Sequence, residues 1–323
     1  MEKGLVSILT PCYNGEHYIT RYLDSILSQK YRPLELILVN DGSIDGTNEI
    51  VEQYKSKFIK EKITFKYIVQ KNGGQSKAIN TALSVCEGEY LTWPDSDDIL
   101  SQDNIVQKVA FLKSNPKYSM VMCRTRCVFE NDLTKTIYVL ERKNPYSGNL
   151  FEDFLLINNV YFAPGSFMVK AEDLFKALKG REIIESPVGQ NWQLLLPMTY
   201  YYNCGFIDDI LYTYVIRKNS HSRQEKNVVE ILQKYNRQQD LLKHILYILI
   251  KNDEELNYYL NKLDDVYSLR RMQIYFDHGL RKEFNKEFRM SEKNLHNIIK
   301  FCLINTPVHR ILIKTRSKND IFS

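Results

Sequence analysis

The chain has 323 residues, of which 44% are hydrophobic and 26% are charged, and its net charge is +5. This balance is typical of a globular protein and excludes disordered, collagen-like and coiled-coil chains. The six cysteines are scattered without a Cys-x-x-Cys pair, which argues against a disulfide scaffold and a structural zinc site.

The first seventy residues alternate between short apolar runs and segments of helical periodicity. Residues 5–9, 34–39 and 63–69 are apolar and end in turn-forming residues, which is typical of buried strands. Between them, apolar spacing predicts helices over 19–27 and around 50–54. A strand, helix, strand, helix, strand order predicts right-handed crossovers and a mainly parallel sheet.

The same pattern continues and ends in a group of acids. Helical spacing over 75–86 is followed by a buried strand at 89–93, which Pro94 stops. Asp95-Ser96-Asp97-Asp98, here called the acidic turn, comes next. Because ligands collect outside the carboxyl ends of the strands in such sheets, we expect Asp41 and the acidic turn to lie at one binding site.

The later part of the chain is mixed and then helical. We predict helices near 105–113 and 149–157 and strands at 118–129, 136–141, 166–170 and 206–216. From 225 to about 305 only helical periodicity remains, which predicts a helical appendage.

The basic residues are concentrated in this appendage. Residues 221–323 hold 19 Lys and Arg against 13 acids, whereas residues 1–220 hold 25 against 26. The excess fits a solvated helical face or an anionic membrane surface better than nucleic acid. No signal-peptide pattern opens the chain, and the apolar stretch 241–250 is shorter than the roughly 20 residues that span a bilayer. We therefore expect a cytoplasmic protein with reduced thiols, in peripheral contact with the inner membrane surface.

The acidic turn allows two interpretations. Asp95 and Asp97, one residue apart after a strand, could share Mg²⁺ or Mn²⁺, whose preferred ligands are oxygens. Alternatively, Asp95 forms a local turn and Asp98 caps the helix that begins near 103. The residues of the turn alone leave both open.

Five ordered blocks carry a family resemblance. They are VSILTPCYNGE at 6–16, LDSILSQ at 23–29, VNDGSIDGT at 39–47, NGGQSKAIN at 72–80, and GEYL at 88–91 with the acidic turn. In order and spacing they resemble the family 2 inverting glycosyltransferases of the GT-A fold. The resemblance is specific over residues 4–100, looser to about 220 and absent beyond.

The resemblance implies a fold and an activity. The fold is a Rossmann-like, mainly parallel sheet flanked by helices, with a C-terminal helical appendage. Residues 1–220 would form the GT-A domain, with a nucleotide-binding half at 1–100 and an acceptor half at 101–220, and 221–323 the helical region. The protein would use Mn²⁺ or Mg²⁺ and a UDP-sugar to glycosylate a hydroxyl of a glycan or lipid-linked acceptor in bacterial surface polysaccharide synthesis.

The resemblance also implies the residues of the nucleotide site. These are Pro11, Tyr13, Asp41, Asn72, Lys77, Asp95, Ser96, Arg217 and His221, with Asp95 and Asp97 as metal ligands. Tyr13 would pack on the base, unless it is a core aromatic. Asp41 would accept a hydrogen bond from uracil N3–H, unless it serves a local turn with Gly42 and Ser43. Ile79 stands where the family often has an arginine, so Lys77 would supply a phosphate contact.

The catalytic base departs from the family pattern. The usual acidic pair is replaced by Gln190-Asn191, and an amide cannot act as a base. Glu185 is our substitute, with an exposed loop carboxylate as the alternative. Trp192 would pack either under a sugar ring or in the interior.

Three other classes of protein compete with this interpretation. A degenerate transferase that binds nucleotide sugar or glycan without turnover is suggested by Gln190-Asn191. A nucleotidyltransferase and a Rossmann dehydrogenase would both need a glycine-rich loop after the first strand, where this chain has Thr10-Pro11-Cys12.

Overall fold

The computed structural model describes residues 1–217, 227–291 and 295–306. The chain divides into two compact units, Met1–Arg223 and Gln224–Ser323. Within the described residues the first unit contains all of the strands, and the second contains helices only.

The first half of unit 1 alternates strands and helices as the sequence predicts. Its elements are β1 (Glu2–Cys12), α1 (Ile19–Leu27), β2 (Leu34–Asn40), α2 (Thr47–Lys60), β3 (Ile63–Val69), α3 (Gln75–Val85) and β4 (Gly88–Thr92). β2 pairs in parallel with β1 and β3, and β1 pairs in parallel with β4. The predicted parallel half-sheet is confirmed, and its strands all end at the same edge.

Burial explains why β2 is a continuous apolar run. All seven of its residues are buried, because the strand lies between two others with its faces covered. Its single acid, Glu35, has no exposed surface. The Glu35 carboxylate accepts the Glu87 N–H at 2.8 Å and lies 2.9 Å from the Lys66 ammonium, which gives the buried charge the partners it needs.

The second half of unit 1 completes a nine-stranded sheet. Its elements are β5 (Ile99–Leu100), α4 (Asn104–Ser114), β6 (Tyr118–Phe129), β7 (Asp132–Leu140), α5 (Leu150–Leu156), β8 (Phe167–Lys170), α6 (Ala171–Leu178), α7 (Gln190–Tyr201) and β9 (Asn203–Ile216). The strand order is β3-β2-β1-β4-β8-β6-β9-β5, with β7 beside β6. β8 runs antiparallel to both β4 and β6, while β6 and β9 are parallel.

Two helices of this half were not predicted from the sequence. α7 is buried from Trp192 to Met198 and contains Pro197. A helix buried on all sides has no polar face, so it shows no 3.6-residue alternation. α6 is eight residues long, and its buried residues Ala171, Leu174 and Ala177 follow a helical spacing that could have identified it.

Unit 2 is built from four helices within the described residues. They are α8 (Val228–Leu249), α9 (Asp253–Asp277), α10 (Arg281–Met290) and α11 (Leu295–Ile304). Asn227 and Asn252 cap α8 and α9, each by accepting a backbone N–H three residues on. Met272, Phe284 and Phe288 pack together in its core. None of the helices in the described part of the chain is long and apolar enough to cross a membrane.

Candidate active site

A cleft of about 650 Å³ opens at the carboxyl edge of the parallel strands. Eight of the residues predicted for the nucleotide and metal sites line it. They are Pro11, Tyr13, Asp41, Asn72, Asp95, Ser96, Asp97 and Arg217. The opposite wall includes Phe162, Pro164, Pro187, Gln190 and Asn191 from the second half of unit 1. The cleft therefore lies between the two predicted halves.

Asp41 follows β2 and organises the loop after β3. One carboxylate oxygen accepts hydrogen bonds from Gln70 Nε2 at 2.7 Å and Gly73 N at 2.9 Å, and the other accepts one from Gly74 N at 2.7 Å. The local turn belongs instead to Asn40, whose side-chain oxygen accepts the Ser43 N–H at 2.9 Å. Asp41 is thus not the residue that forms the turn.

Gly42 allows the Asp41 loop and the 70–74 loop to approach closely. Its φ is +76°, a conformation that side-chain-bearing residues rarely adopt. A Cβ at this position would lie 2.8 Å from the Asn72 backbone nitrogen. Any larger residue would push the two loops apart and disturb the hydrogen bonds to Asp41.

We expect Asp41→Asn to destabilise the protein by about 1.5–3 kcal/mol, the usual worth of hydrogen bonds to a charged group. The variant would turn an NH₂ group towards backbone N–H groups that need an acceptor. Urea unfolding of the variant and of the wild type measures the difference. Asp209→Asn, an exposed position on β9, is the matched control. An Asp41→Asn protein as stable as this control would contradict the role of the carboxylate in the loop.

The other nucleotide-side residues lie as follows. Tyr13 is 37% exposed and lines the cleft, so it is not a core aromatic. Asn72 is exposed on the loop that Asp41 organises. Lys77 is exposed on α3 but is not among the cleft-lining residues, and its aliphatic chain lies against Gly73. His221 lies outside the described residues.

The acidic turn gathers three carboxylates. Ligand atoms of Asp95, Asp97 and Asp98 all lie within 4.8 Å of one another. Burial raises the pKa of Asp95, and the nearby charge of Asp97 raises it further. A cation between these carboxylates would relieve their repulsion and favour the ionised forms.

Asp98 is committed to β9. Its two oxygens accept the Tyr212 hydroxyl at 2.7 Å and the Val215 N–H at 2.8 Å. The Tyr212 ring in turn lies against Gly165, where a Cβ would come within 2.1 Å of a ring carbon. The alternative that Asp98 caps α4 is wrong, because the carboxylate is buried and used elsewhere.

Asp95 and Asp97 remain as candidate ligands for a divalent cation. Asp95 accepts one hydrogen bond, from Gln75 Nε2 at 2.9 Å, and lines the cleft. Asp97 lines the cleft and is paired with Arg217. Two carboxylates with oxygen atoms free for coordination form a donor set that fits Mg²⁺ or Mn²⁺.

Arg217 reaches the acidic turn from the end of β9. Its Nε and Nη2 lie 2.8 and 2.5 Å from the same oxygen, Asp97 Oδ2. Its guanidinium carbon lies 4.2 Å from the centre of the Tyr18 ring. Arg21 donates two further hydrogen bonds to the main-chain oxygen of Asp97, at 2.9 and 3.2 Å.

On the acceptor side, amides replace the expected acids. Gln190 begins α7 behind Gly189, and the Asn191 side-chain oxygen accepts the Trp93 indole N–H at 3.1 Å. Trp192 is an interior residue: it is buried, and its indole N–H is donated to Phe154 O at 2.9 Å. Among the described residues that line the cleft, the carboxylates are those of Asp41, Asp95 and Asp97.

Glu185 is exposed on the loop before α7 and does not line the cleft. The loop is held on both sides of it. The Gln193 amide bonds the N–H and the carbonyl of Ile184 at 2.7 and 3.0 Å, and the Ser76 hydroxyl is donated to Ser186 O at 2.9 Å. Pro187, two residues after Glu185, lines the cleft. The role of Glu185 stays a prediction.

Cys12 lines the cleft with a thiol that burial keeps protonated at neutral pH. Burial raises the pKa of its thiol to about 12, and only the thiolate reacts readily. Among the residues that hydrogen-bond to Asp41 and Asp97, Gln70 and Arg21 were not predicted. Gln70 follows β3 as Asp41 follows β2, so the strand-end rule could have found it. Nothing in the pattern of α1 singles out Arg21.

Three comparisons with known proteins bear on this cleft. The model of glycosyl transferase family 2 matches residues 7–178. The glycosyltransferase GlyA of Streptococcus pneumoniae is 29% identical over 231 residues, which cover 68% of this chain and 31% of GlyA. TuaG of Bacillus subtilis, named for teichuronic acid biosynthesis, is 38% identical over 110 residues, covering 34% of this chain and 42% of TuaG. The matched regions thus span less than half of either relative.

The fold is similar to that of a solved structure of Staphylococcus aureus TarS. S. aureus TarS 1–349 in complex with UDP-GlcNAc superimposes with a TM-score of 0.63 over 97% of this chain and 92% of TarS, at 17% identity. At this identity the likeness bears on the fold alone, and it agrees with the expected GT-A architecture. Because the family model covers more than half of the chain and its blocks surround the cleft, the chain belongs to glycosyl transferase family 2.

Proposed function

We propose that the protein is a metal-dependent inverting glycosyltransferase, which moves a hexosyl or N-acetylhexosaminyl group from a UDP-sugar to a hydroxyl of a glycan or lipid-linked acceptor. Family membership supports glycosyl transfer, and the likeness to TuaG supports a role in surface polysaccharide synthesis. UDP-GlcNAc bound to TarS supports a UDP-sugar as donor. The observation that carries the proposal is that Asp41 and the acidic turn line one cleft.

The nucleoside would bind on the side of Asp41. A carboxylate can accept about four hydrogen bonds. Three N–H groups already donate to the carboxylate of Asp41. One position is left for a donor such as uracil N3–H. Tyr13 would pack on the base, and Asn72 would contact the base or the ribose. Lys77, although outside the cleft lining, lies on the helix that follows and would approach the phosphates.

The diphosphate would bind on the side of the acidic turn. Asp95 and Asp97 would hold Mn²⁺ or Mg²⁺, which when bound neutralises the leaving diphosphate. Ser96, buried between them, would fix the turn beneath the ribose. Arg217 and His221 would add cationic contacts to the diphosphate. Glu185 would take the proton of the acceptor hydroxyl as it attacks the anomeric carbon from the opposite face.

The location and the role of the helical region are further parts of the proposal. We propose a cytoplasmic enzyme whose basic region 221–323 contacts the inner membrane surface, where a lipid-linked acceptor would be found. This region holds 19 Lys and Arg against 13 acids. The excess of basic residues supports the contact, because anionic leaflets attract basic segments.

Calorimetry of nucleotide binding tests the function. We expect UDP to bind more tightly than GDP, dTDP or CMP, and its affinity to rise in Mn²⁺ and to fall again in EDTA. Uracil N3–H would donate a hydrogen bond to Asp41, whereas cytosine presents an acceptor to a carboxylate. Thymine offers the same N3–H, so the comparison with dTDP tests the ribose contact, because dTDP lacks the 2′-hydroxyl. If no nucleotide binds with or without Mn²⁺, the proposed donor site is wrong.

A second candidate is a non-catalytic binding module, which the amides Gln190 and Asn191 favour. It would bind UDP-sugar with Mn²⁺ and yet neither transfer nor hydrolyse the sugar. Release of UDP from any UDP-sugar in the presence of acceptor glycans distinguishes the two, since only the enzyme produces it.

A further inference from the structure

The side chain of Arg217 is paired with Asp97, one of the two acids proposed to hold a metal ion. Asp97 Oδ2 accepts hydrogen bonds from both Nε and Nη2 of the guanidinium, at N···O distances of 2.8 and 2.5 Å. The side chains of both residues are only about one-fifth exposed, at 20% for Arg217 and 21% for Asp97. The Tyr18 ring beneath the guanidinium, 4.2 Å from its central carbon, holds it in place.

A divalent cation and this guanidinium compete for Asp97. An oxygen that accepts two N–H groups of an arginine has little room for a metal, and a divalent cation in contact with it would repel the arginine. Asp95 would still be available, since its one described side-chain contact is with the neutral Gln75. Coordination of the ion by Asp97 Oδ2 therefore requires Arg217 to leave, and an ion held by the other oxygen of Asp97 would still be repelled by the guanidinium.

We infer that Arg217 is a placeholder for the metal ion: it neutralises Asp97 in the metal-free protein and is displaced when metal and nucleoside diphosphate enter together. This inference rests on the proposed function and goes beyond a simple phosphate contact. The diphosphate gives the displaced guanidinium a new anionic partner in the same cleft, and arginine suits phosphate well. Metal and diphosphate then bind as a coupled pair.

The coupling has a thermodynamic consequence. Metal alone must break the Arg217–Asp97 pair without compensation, so its affinity is low. When metal and nucleotide bind together, the protein loses the same Arg217–Asp97 pair but gains a contact between Arg217 and the diphosphate. By linkage, each ligand raises the affinity of the protein for the other by the same factor.

The test is a titration of the full chain with Mn²⁺ alone. Calorimetry and the electron paramagnetic resonance signal of free Mn²⁺ measure how much of the ion is bound. In Arg217→Gln we expect Mn²⁺ to bind about tenfold more tightly than in the wild type, within the typical 5–150-fold range of coupling. In Arg217→Lys, which keeps the charge but not the two-point contact, we expect a smaller rise. Thermal melting checks that each variant is folded.

Arg21→Gln is the matched control. It removes a cation that contacts the main-chain oxygen of Asp97 but not its carboxylate. An equal rise of Mn²⁺ affinity in Arg21→Gln would mean that only net charge matters and would overturn the placeholder role. Unchanged or weaker Mn²⁺ binding in Arg217→Gln would overturn it too.

The titration without nucleotide separates this inference from the proposed function. If UDP binds to neither the wild type nor Arg217→Gln, the proposed donor site fails, while the Mn²⁺ affinities still decide the role of Arg217. If UDP binds normally but Mn²⁺ affinity does not rise in the variant, the proposed function stands and the placeholder role is overturned.

Discussion

The Asp97→Asn variant should lose the metal-dependent part of its UDP affinity, and its transfer rate should fall by about 10³-fold. A cation on a diphosphate oxygen is worth several kcal/mol, and each 1.4 kcal/mol is about tenfold in rate. The neutral amide binds a divalent cation far less well than a carboxylate. Calorimetry with UDP, with and without Mn²⁺, and an assay of UDP release measure the two effects.

The fold should survive this substitution. The amide keeps the size of Asp97 and an oxygen that can accept hydrogen bonds from the Arg217 guanidinium, so the loss is that of a charge-assisted hydrogen bond, about 1.5–3 kcal/mol. Asp103→Asn is the matched control, because this acid is exposed, pairs with Lys30 and does not line the cleft. If Mn²⁺ still raises the UDP affinity of Asp97→Asn as it does in the control, Asp97 is not a metal ligand.

The Glu185→Gln variant should bind UDP normally but transfer sugar about 10²–10⁴ times more slowly, the usual share of general-base catalysis. Its loop is fixed at Ile184 and Ser186, and Pro187 brings the same loop to the cleft wall. An acceptor bound against Pro187 would therefore lie close to the carboxylate. Single-turnover rates at saturating UDP-sugar measure the step without interference from donor binding.

Glu182→Gln provides the comparison for Glu185. Both acids are exposed on the loop before α7, but Glu182 lies further from Pro187 along the chain. Equal rates for the two variants would exclude Glu185 as the base. The search for the base would then move to Asp208 or to a group on the acceptor, since Asp98 is committed to β9.

The parallel half of the fold was predictable because its signals are local. Buried runs such as β2 and the amphipathic spacing of α1 follow from the periodicity of neighbouring residues. Because Asp41 and Asp95 each follow the end of a parallel strand, they were also predicted to lie at one edge of the sheet. α7 escaped prediction because it is buried on every side, which removes the alternation that identifies a helix.

The contacts within the cleft depend on residues far apart in the chain. The pairing of Asp97 with Arg217 spans 120 positions, and that of Asp98 with Val215 spans 117. No local spacing indicates which acid of the turn faces β9 and which faces the cleft. The structure separates them, giving Asp98 to the strand and leaving Asp95 and Asp97 for a ligand.

The packing of Gly165 against Tyr212 limits how the cleft wall around Pro164 can be redesigned. Pro164 lines the cleft, so its neighbours are targets for changing which ligands the cleft accepts. Any side chain at position 165 would collide with the Tyr212 ring, whose hydroxyl serves Asp98. A library that varies position 165 alone would therefore return glycine. Productive diversity needs positions 98, 165 and 212 varied jointly, because packing and a hydrogen bond join the three residues.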